Sequence, residues 1–185
     1  MDNLRNGTPA DFRGKCFAVY KPKGLTSYDI VRKIKRITGE GRVGHAGTLD
    51  PLASGVLVLG VGREATRKLA EIVGQEKEYV VKIKLGETSL TDDAEGEKTK
   101  VGVLYPPLRE DIEATLGNFI GEIEQVPPWF SAVKIGGRPA YKSARCGDAV
   151  ELKPRKVFIK SIEVISYKFP VVELRVVCGK GTYIR

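Results

Sequence analysis

The chain has 185 residues, 42% of them hydrophobic, enough for one domain with a real core and too apolar for a disordered polypeptide. Lys and Arg total 31 against 23 Asp and Glu, and the net charge of +8 points to a polyanionic partner, nucleic acid first. Three cysteines with no Cys-x-x-Cys pair, together with a single histidine, argue against a disulfide framework, a zinc ribbon and a His-rich metal site.

Residues 1–14 are polar with Gly and Pro and read as a flexible N-terminal segment. They contain no apolar stretch of the signal-peptide kind, and no later run approaches the roughly 18 apolar residues of a membrane span. A cytoplasmic protein is expected, and with no sign of a subunit seam, a monomer. Cys16-Phe17-Ala18-Val19-Tyr20 has strand length. Thr26 and Ser27 offer N-caps to a helix with Asp29 in its first turn, an apolar stripe of Ile30, Val31, Ile34 and Ile37, and Gly39 as C-cap. Arg32, Lys33, Lys35 and Arg36 fall largely on the other side, either a solvated face or one that meets phosphates. A glycine-rich stretch from Gly39 to Gly47 leads to Asp50-Pro51.

Val56 to Val61 is a continuous apolar run, predicted as a strand buried on both faces or nearly so. Glu64 to Val73 carries Ala65, Leu69, Ile72 and Val73 at helical spacing. Tyr79, Val81, Ile83 and Leu85 alternate as a half-buried strand, with Tyr79 in phase with the core. The acidic stretch from Thr91 to Glu97 lacks the ligand pattern of a calcium loop and is read as a turn. Leu108, Ile112, Leu116 and Phe119 predict a further helix. Residues 125–150 interleave Trp129, Phe130 and Tyr141 with Lys134, Arg138, Lys142 and Arg145, which suits RNA or, equally, a hairpin with a satellite core. Trp129 and Phe130 are expected to pack, leaving Lys134, Arg138 and Arg145 for RNA. Val157–Val164 and Val172–Cys178 alternate as strands. The irregular mixture predicts an α+β fold with a mixed, largely antiparallel sheet flanked by helices, not a doubly wound one.

No Walker A pattern, Ser–His–Asp set or metal constellation is present. The candidate for chemistry is Asp50 in its glycine-framed loop. Pro51 restricts Asp50 to extended backbone, so the carboxylate is held by the chain itself. A turn device is the commoner use of Asp-Pro, and a lone histidine is more often structural than functional.

Five segments in order alter that balance. Residues 41–67, GRVGHAGTLDPLASGVLVLGVGREATR, resemble the central motif of the TruB family of tRNA pseudouridine synthases. Lys21-Pro22-x-Gly24-x-Thr26-Ser27 resembles its first motif, and Lys77-x-Tyr79 its pocket-tyrosine segment. Gln125-x-Pro127-Pro128-x-Phe130-Ser131-Ala132-x-Lys134, with Gly137-x-x-Ala140-Tyr141, resembles its RNA-gripping insertion. Cys178-x-Lys180-Gly181-Thr182-Tyr183-Ile184-Arg185 resembles its last catalytic motif.

The resemblance implies a pseudouridine-synthase fold over residues 15–185, with an RNA-binding insertion at about 125–150. It implies that a uridine in the tRNA T-loop is flipped into a pocket and isomerised, with Asp50 as nucleophile. Tyr79 then stacks on the uracil, and Arg185 pairs with Asp50. Tyr183 and Lys21 line or support the nucleotide site, with Gly44 and Thr48 beside it. His45 fills the space left in the T-loop. Arg32, Lys33, Lys134, Arg138 and Arg145 grip the RNA backbone of the T-arm and elbow. The reaction has no redox or phosphoryl-transfer step, so neither cofactor nor metal is expected. Family members continue past the residue matching Arg185, often into a domain of the PUA type, which is expected to be absent here. An alternative is a non-catalytic module that grips the tRNA elbow. A third, a guide-dependent synthase of other RNA, fits the insertion less well.

Overall fold

A computed structural model of the chain describes residues 12–131, 133–146 and 151–185. Most of the expected flexible segment 1–14 lies outside the described residues, as do 132 and 147–150 of the insertion and the side chains of Arg138, Pro139, Tyr141, Lys142 and Arg145. Two compact units divide the chain at Gln75 and Glu76.

The first unit is a three-stranded antiparallel sheet with two helices. Its elements are β1 (Cys16–Lys21), α1 (Ser27–Thr38), β2 (Val43–His45), β3 (Gly55–Val61) and α2 (Gly62–Val73). The sheet order is β1-β3-β2, so β3 is central. Helix α1 starts where two side chains satisfy backbone amides reciprocally. Thr26 Oγ1 accepts from the Asp29 amide at 3.0 Å, and an Asp29 carboxylate oxygen accepts from the Thr26 amide at 2.9 Å. It stops at Gly39, whose φ of +66° suits a residue without Cβ. Ile30, Val31 and Ile34 of α1 pack with Leu57, Leu59 and Val61 of β3 to form the core. Each contributes about 2 kcal/mol by leaving water.

Two expectations fail here. Val56 is 70% exposed, so β3 alternates at its start and is not buried on both faces. Ile37 is 58% exposed, because the buried arc of α1 ends in the hydroxyl of Thr38, which bonds the Ile34 carbonyl.

The second unit comprises β4 (Lys77–Lys84), β5 (Glu87–Ser89), β6 (Lys98–Lys100), α3 (Arg109–Gly117), β7 (Gly121–Gln125), β8 (Lys134–Ile135), β9 (Arg138–Pro139), α4 (Ala140–Arg145), β10 (Arg155–Lys168) and β11 (Val171–Cys178). Its main sheet runs β4-β11-β10-β7, all antiparallel. Val172, Leu174, Val176 and Cys178 of β11 and Ile159 of β10 form its core, with Tyr79, Ile112, Leu116 and Ile184 packed against them. Burial pushes the Cys178 thiol pKa up. The other face carries ion pairs such as Arg175 with Glu78 and Glu163, an exposed charged surface. Strand β7 has no counterpart in the sequence reading; its alternation, GEIEQ, is too short and too charged to stand out. Phe119 lies past the end of α3 and is 48% exposed. A small cluster of Val133, Ala140 and Leu152 forms at the insertion, but it is aliphatic, not the aromatic satellite core that the hairpin reading expected. Trp129 does not join it, being 52% exposed.

Candidate active site

In the first unit the loop between β2 and β3 presents Asp50, and three neighbours hold that loop. The buried Ser27 hydroxyl accepts from the Leu49 amide at 2.9 Å and lies 3.2 Å from the Leu49 carbonyl, to which it can donate. The Gly24 amide donates to the Pro51 carbonyl at 2.8 Å. Within the loop, the Ala53 amide donates to the Asp50 carbonyl at 3.0 Å, closing a turn. The residues on either side of Asp50 are therefore tied to the segment around the start of α1. The half-buried carboxylate sits on backbone with little freedom.

Lys21 ends β1 fully buried, and its ammonium donates to the carbonyls of Pro22 at 3.0 Å and Leu25 at 2.7 Å. Burial lowers its pKa, and the negative charge of Asp50, with a smaller contribution from Tyr20, works the other way. Lys21 thus braces the 22–25 turn and sets a positive charge within electrostatic reach of Asp50. His45 Nδ1 lies 2.8 Å from the Gly47 carbonyl. A carbonyl can only accept, so Nδ1 carries the hydrogen, and in the neutral ring Nε2 is left as an acceptor. Thr48 is exposed on the loop. At Gly44 an added Cβ would stand 3.2 Å from Leu69 Cδ1 and 3.4 Å from Thr66 Cγ2. The missing side chain there makes room for α2.

In the second unit the last residues are held as firmly. One Arg185 nitrogen donates to Asp93 Oδ2 at 2.9 Å and the other to the Phe130 carbonyl at 3.0 Å. Thr91 Oγ1 donates to the second Asp93 oxygen at 2.6 Å. The two side chains are only 14% and 17% exposed, so this ion pair is largely desolvated and depends on these extra hydrogen bonds. The acidic turn 91–97 therefore does more than turn. Its Asp93 orients Arg185 from 92 positions away, which no local pattern could announce. Tyr183 packs against the Val133, Ala140 and Leu152 cluster, and Gln125 bonds its backbone twice. Tyr79 sits on β4 opposite Val176, half-buried as its phase predicted.

Among the RNA-backbone candidates, Lys33 and Lys134 are exposed. Arg32 is engaged, paired with Asp29 and lying 5.9 Å from the Tyr28 ring centroid. Hydrogen bonds from Thr26 and Arg32 hold the Asp29 carboxyl far below the usual range. The face of α1 thus contains an acid that blunts one of its cations. Arg138 lies in β9 and Arg145 at the end of α4, their side chains outside the described residues. Among the described residues no cluster of His, Cys, Asp and Glu could hold a metal, and no helix is long and apolar enough to cross a membrane.

The family model for "TruB family pseudouridylate synthase (N terminal domain)" matches residues 35–184. The chain belongs to the TruB family. Among its relatives, the tRNA pseudouridine synthase B of Clostridium kluyveri is 46% identical over 167 residues, covering 90% of this chain and 57% of that protein. The protein of the same name from Parabacteroides distasonis is 43% identical over 185 residues, covering 93% of this chain and 75% of the relative. The chain thus spans little more than half the length of the Clostridium protein. The crystal structure of a Cbf5-Nop10-Gar1 complex superposes with a TM-score of 0.68 at 26% identity, covering 98% of this chain and 44% of that one. The expected pseudouridine-synthase fold is therefore present. Asp50, Tyr79 and Tyr183 all lie within the span matched to the TruB family.

Proposed function

We propose that this chain carries the catalytic machinery of a tRNA pseudouridine synthase that isomerises a uridine of the T-loop. The observation that carries the reading is the tethering of Asp50. Ser27 grips the residue before it and Gly24 the residue after it, and the buried Lys21 lies within electrostatic reach. A lone carboxylate held this way suits a reaction that breaks the C1′–N1 bond and makes a C1′–C5 bond, with no second carboxylate needed to activate water. In this reading the uridine is flipped out of its stack, Asp50 is the nucleophile and Tyr79 stacks on the uracil. Tyr183, Gly44 and Thr48 bind the nucleotide. Arg185 is the cation that stabilises charge as the reaction proceeds. His45 enters the T-loop, and Lys33, Lys134, Arg138 and Arg145 meet phosphates, with Arg32 a weaker contributor. The chain acts as a monomer without cofactor.

Identity supports tRNA as the substrate. Over the aligned residues the relatives named for tRNA are 43–46% identical to this chain, against 26% for the Cbf5 complex.

The test is incubation with unmodified tRNA followed by mapping of pseudouridine. Wild type is expected to modify one T-loop uridine, and Asp50→Asn to lose activity by at least ~10⁴-fold. Tight tRNA binding by wild type with no pseudouridine formed would mean a binding module instead. Modification by the Asn variant would remove Asp50 from its role.

A further inference from the structure

The segment Gln125 to Val133 resembles part of an RNA-gripping insertion, yet the Gln125 side chain and the Phe130 carbonyl are spent on Tyr183 and Arg185. Gln125 is the last residue of β7, where its backbone is paired with Arg155 of β10. Its side-chain amide turns to Tyr183. Nε2 donates to the Tyr183 carbonyl at 2.9 Å, and Oε1 accepts from the Tyr183 amide at 2.9 Å. Five residues on, the Phe130 carbonyl accepts from Arg185.

Tyr183 belongs to no strand, and the Gln125 side chain meets both its amide and its carbonyl. A primary amide presents its acceptor oxygen beside one of its two N–H donors, so it can bond the C=O and N–H of one residue at the same time. Gln125 extends the pairing of β7 by one peptide unit, onto a segment that has left the sheet. Tyr183 is two residues from Arg185, so this pair of hydrogen bonds fixes the backbone from which the guanidinium projects.

We infer that Gln125 is a positioning residue for the reaction. It acts through the Tyr183 backbone on Arg185 and does not grip RNA. The inference rests on the function proposed above, in which Arg185 serves the chemistry. Misplacing a reacting group by about 1 Å can cost ~100-fold in rate while leaving substrate affinity alone.

Three variants separate this role from a merely structural one. Gln125→Ala removes both bonds. Gln125→Glu keeps the acceptor for the Tyr183 amide but sets a carboxylate oxygen against its carbonyl. Tyr167→Phe removes a comparable hydrogen bond, from the Tyr167 hydroxyl to the Pro107 carbonyl at 2.6 Å, elsewhere in the same unit. Both Gln125 variants are expected to lower kcat for tRNA by ~10- to 100-fold, with KM within about twofold of wild type. Tyr167→Phe is expected to lower the melting temperature as much as Gln125→Ala and to leave kcat alone. Hydrogen exchange at the Tyr183 amide should quicken in Gln125→Ala. An unchanged kcat in Gln125→Ala, a rise confined to KM, or a kcat loss in Tyr167→Phe of the same size overturns the inference. Should wild type itself form no pseudouridine, the proposed function fails, and unchanged Tyr183 exchange in Gln125→Ala would still separately overturn the clamp.

Discussion

Single side chains decide where the chemistry-bearing groups can sit. Asp93 is the clearest case. Its two oxygens take hydrogen bonds from Arg185, Thr91 and the Glu95 amide, leaving the guanidinium one direction along that edge. Asp93→Asn keeps the shape and removes the charge from this ion pair. We expect a stability loss of about 1–3 kcal/mol by urea titration. We also expect a kcat loss above ~10-fold, with tRNA affinity little changed. A variant with wild-type kcat would show that Arg185 needs no anionic partner in that turn. Asp50 itself was legible as a constrained carboxylate, since Pro51 and the surrounding glycines are local signals. Asp93, Ser27 and Gln125 were not legible in these roles. Each acts on a residue at least 22 positions away, and short patterns of Thr, Asp, Ser or Gln are equally at home in turns and caps.

At the scale of elements, hydrophobic period and cap chemistry carried most of the information. The Thr26–Asp29 box and Gly39 mark both ends of α1, and the alternation from Tyr79 to Leu85 marks β4. The failures lie where burial depends on what covers a face. The apolar run of β3 looked uniformly buried, yet Val56 pairs with Tyr20 on a face that stays exposed. Periodicity reports which residues share a face and says nothing of whether a second layer covers it. Where β3 meets α2 the fit is close. An added Cβ at Gly60 would stand 3.0 Å from the Ala65 carbonyl carbon and oxygen and 3.2 Å from Leu69 Cδ1. Gly60→Ala is therefore expected to destabilise the protein by ~1–3 kcal/mol. Gly41→Ala, with nothing within 4 Å, should stay within about 0.5 kcal/mol of wild type. Denaturant midpoints for the two variants check the contrast. Equal midpoints would mean that α2 can shift without cost.

Over the whole molecule the net charge of +8 sets how the chain meets a polyanion. Affinity for tRNA should fall steeply with salt, the logarithm of the binding constant being linear in the logarithm of salt concentration. Lys33→Ala and Lys134→Ala should each shallow that slope by about one. Lys156→Ala should not, since that ammonium is already paired with Glu122 at 2.7 Å. A slope unmoved by either of the first two would take that lysine out of the RNA footprint. By itself the sequence determined the fold class, the order of the longer strands and helices other than β7, and the candidate carboxylate. These depend on periodicity, caps and proline–glycine constraints, which act over a few residues. Tertiary structure alone decided which faces are covered, that α1 holds the Asp50 loop through Ser27, and that Arg185 rests on Asp93 and Phe130. A hydrogen bond between distant residues leaves no mark on the local pattern of either, because its strength depends on a geometry that exists only once both segments are packed.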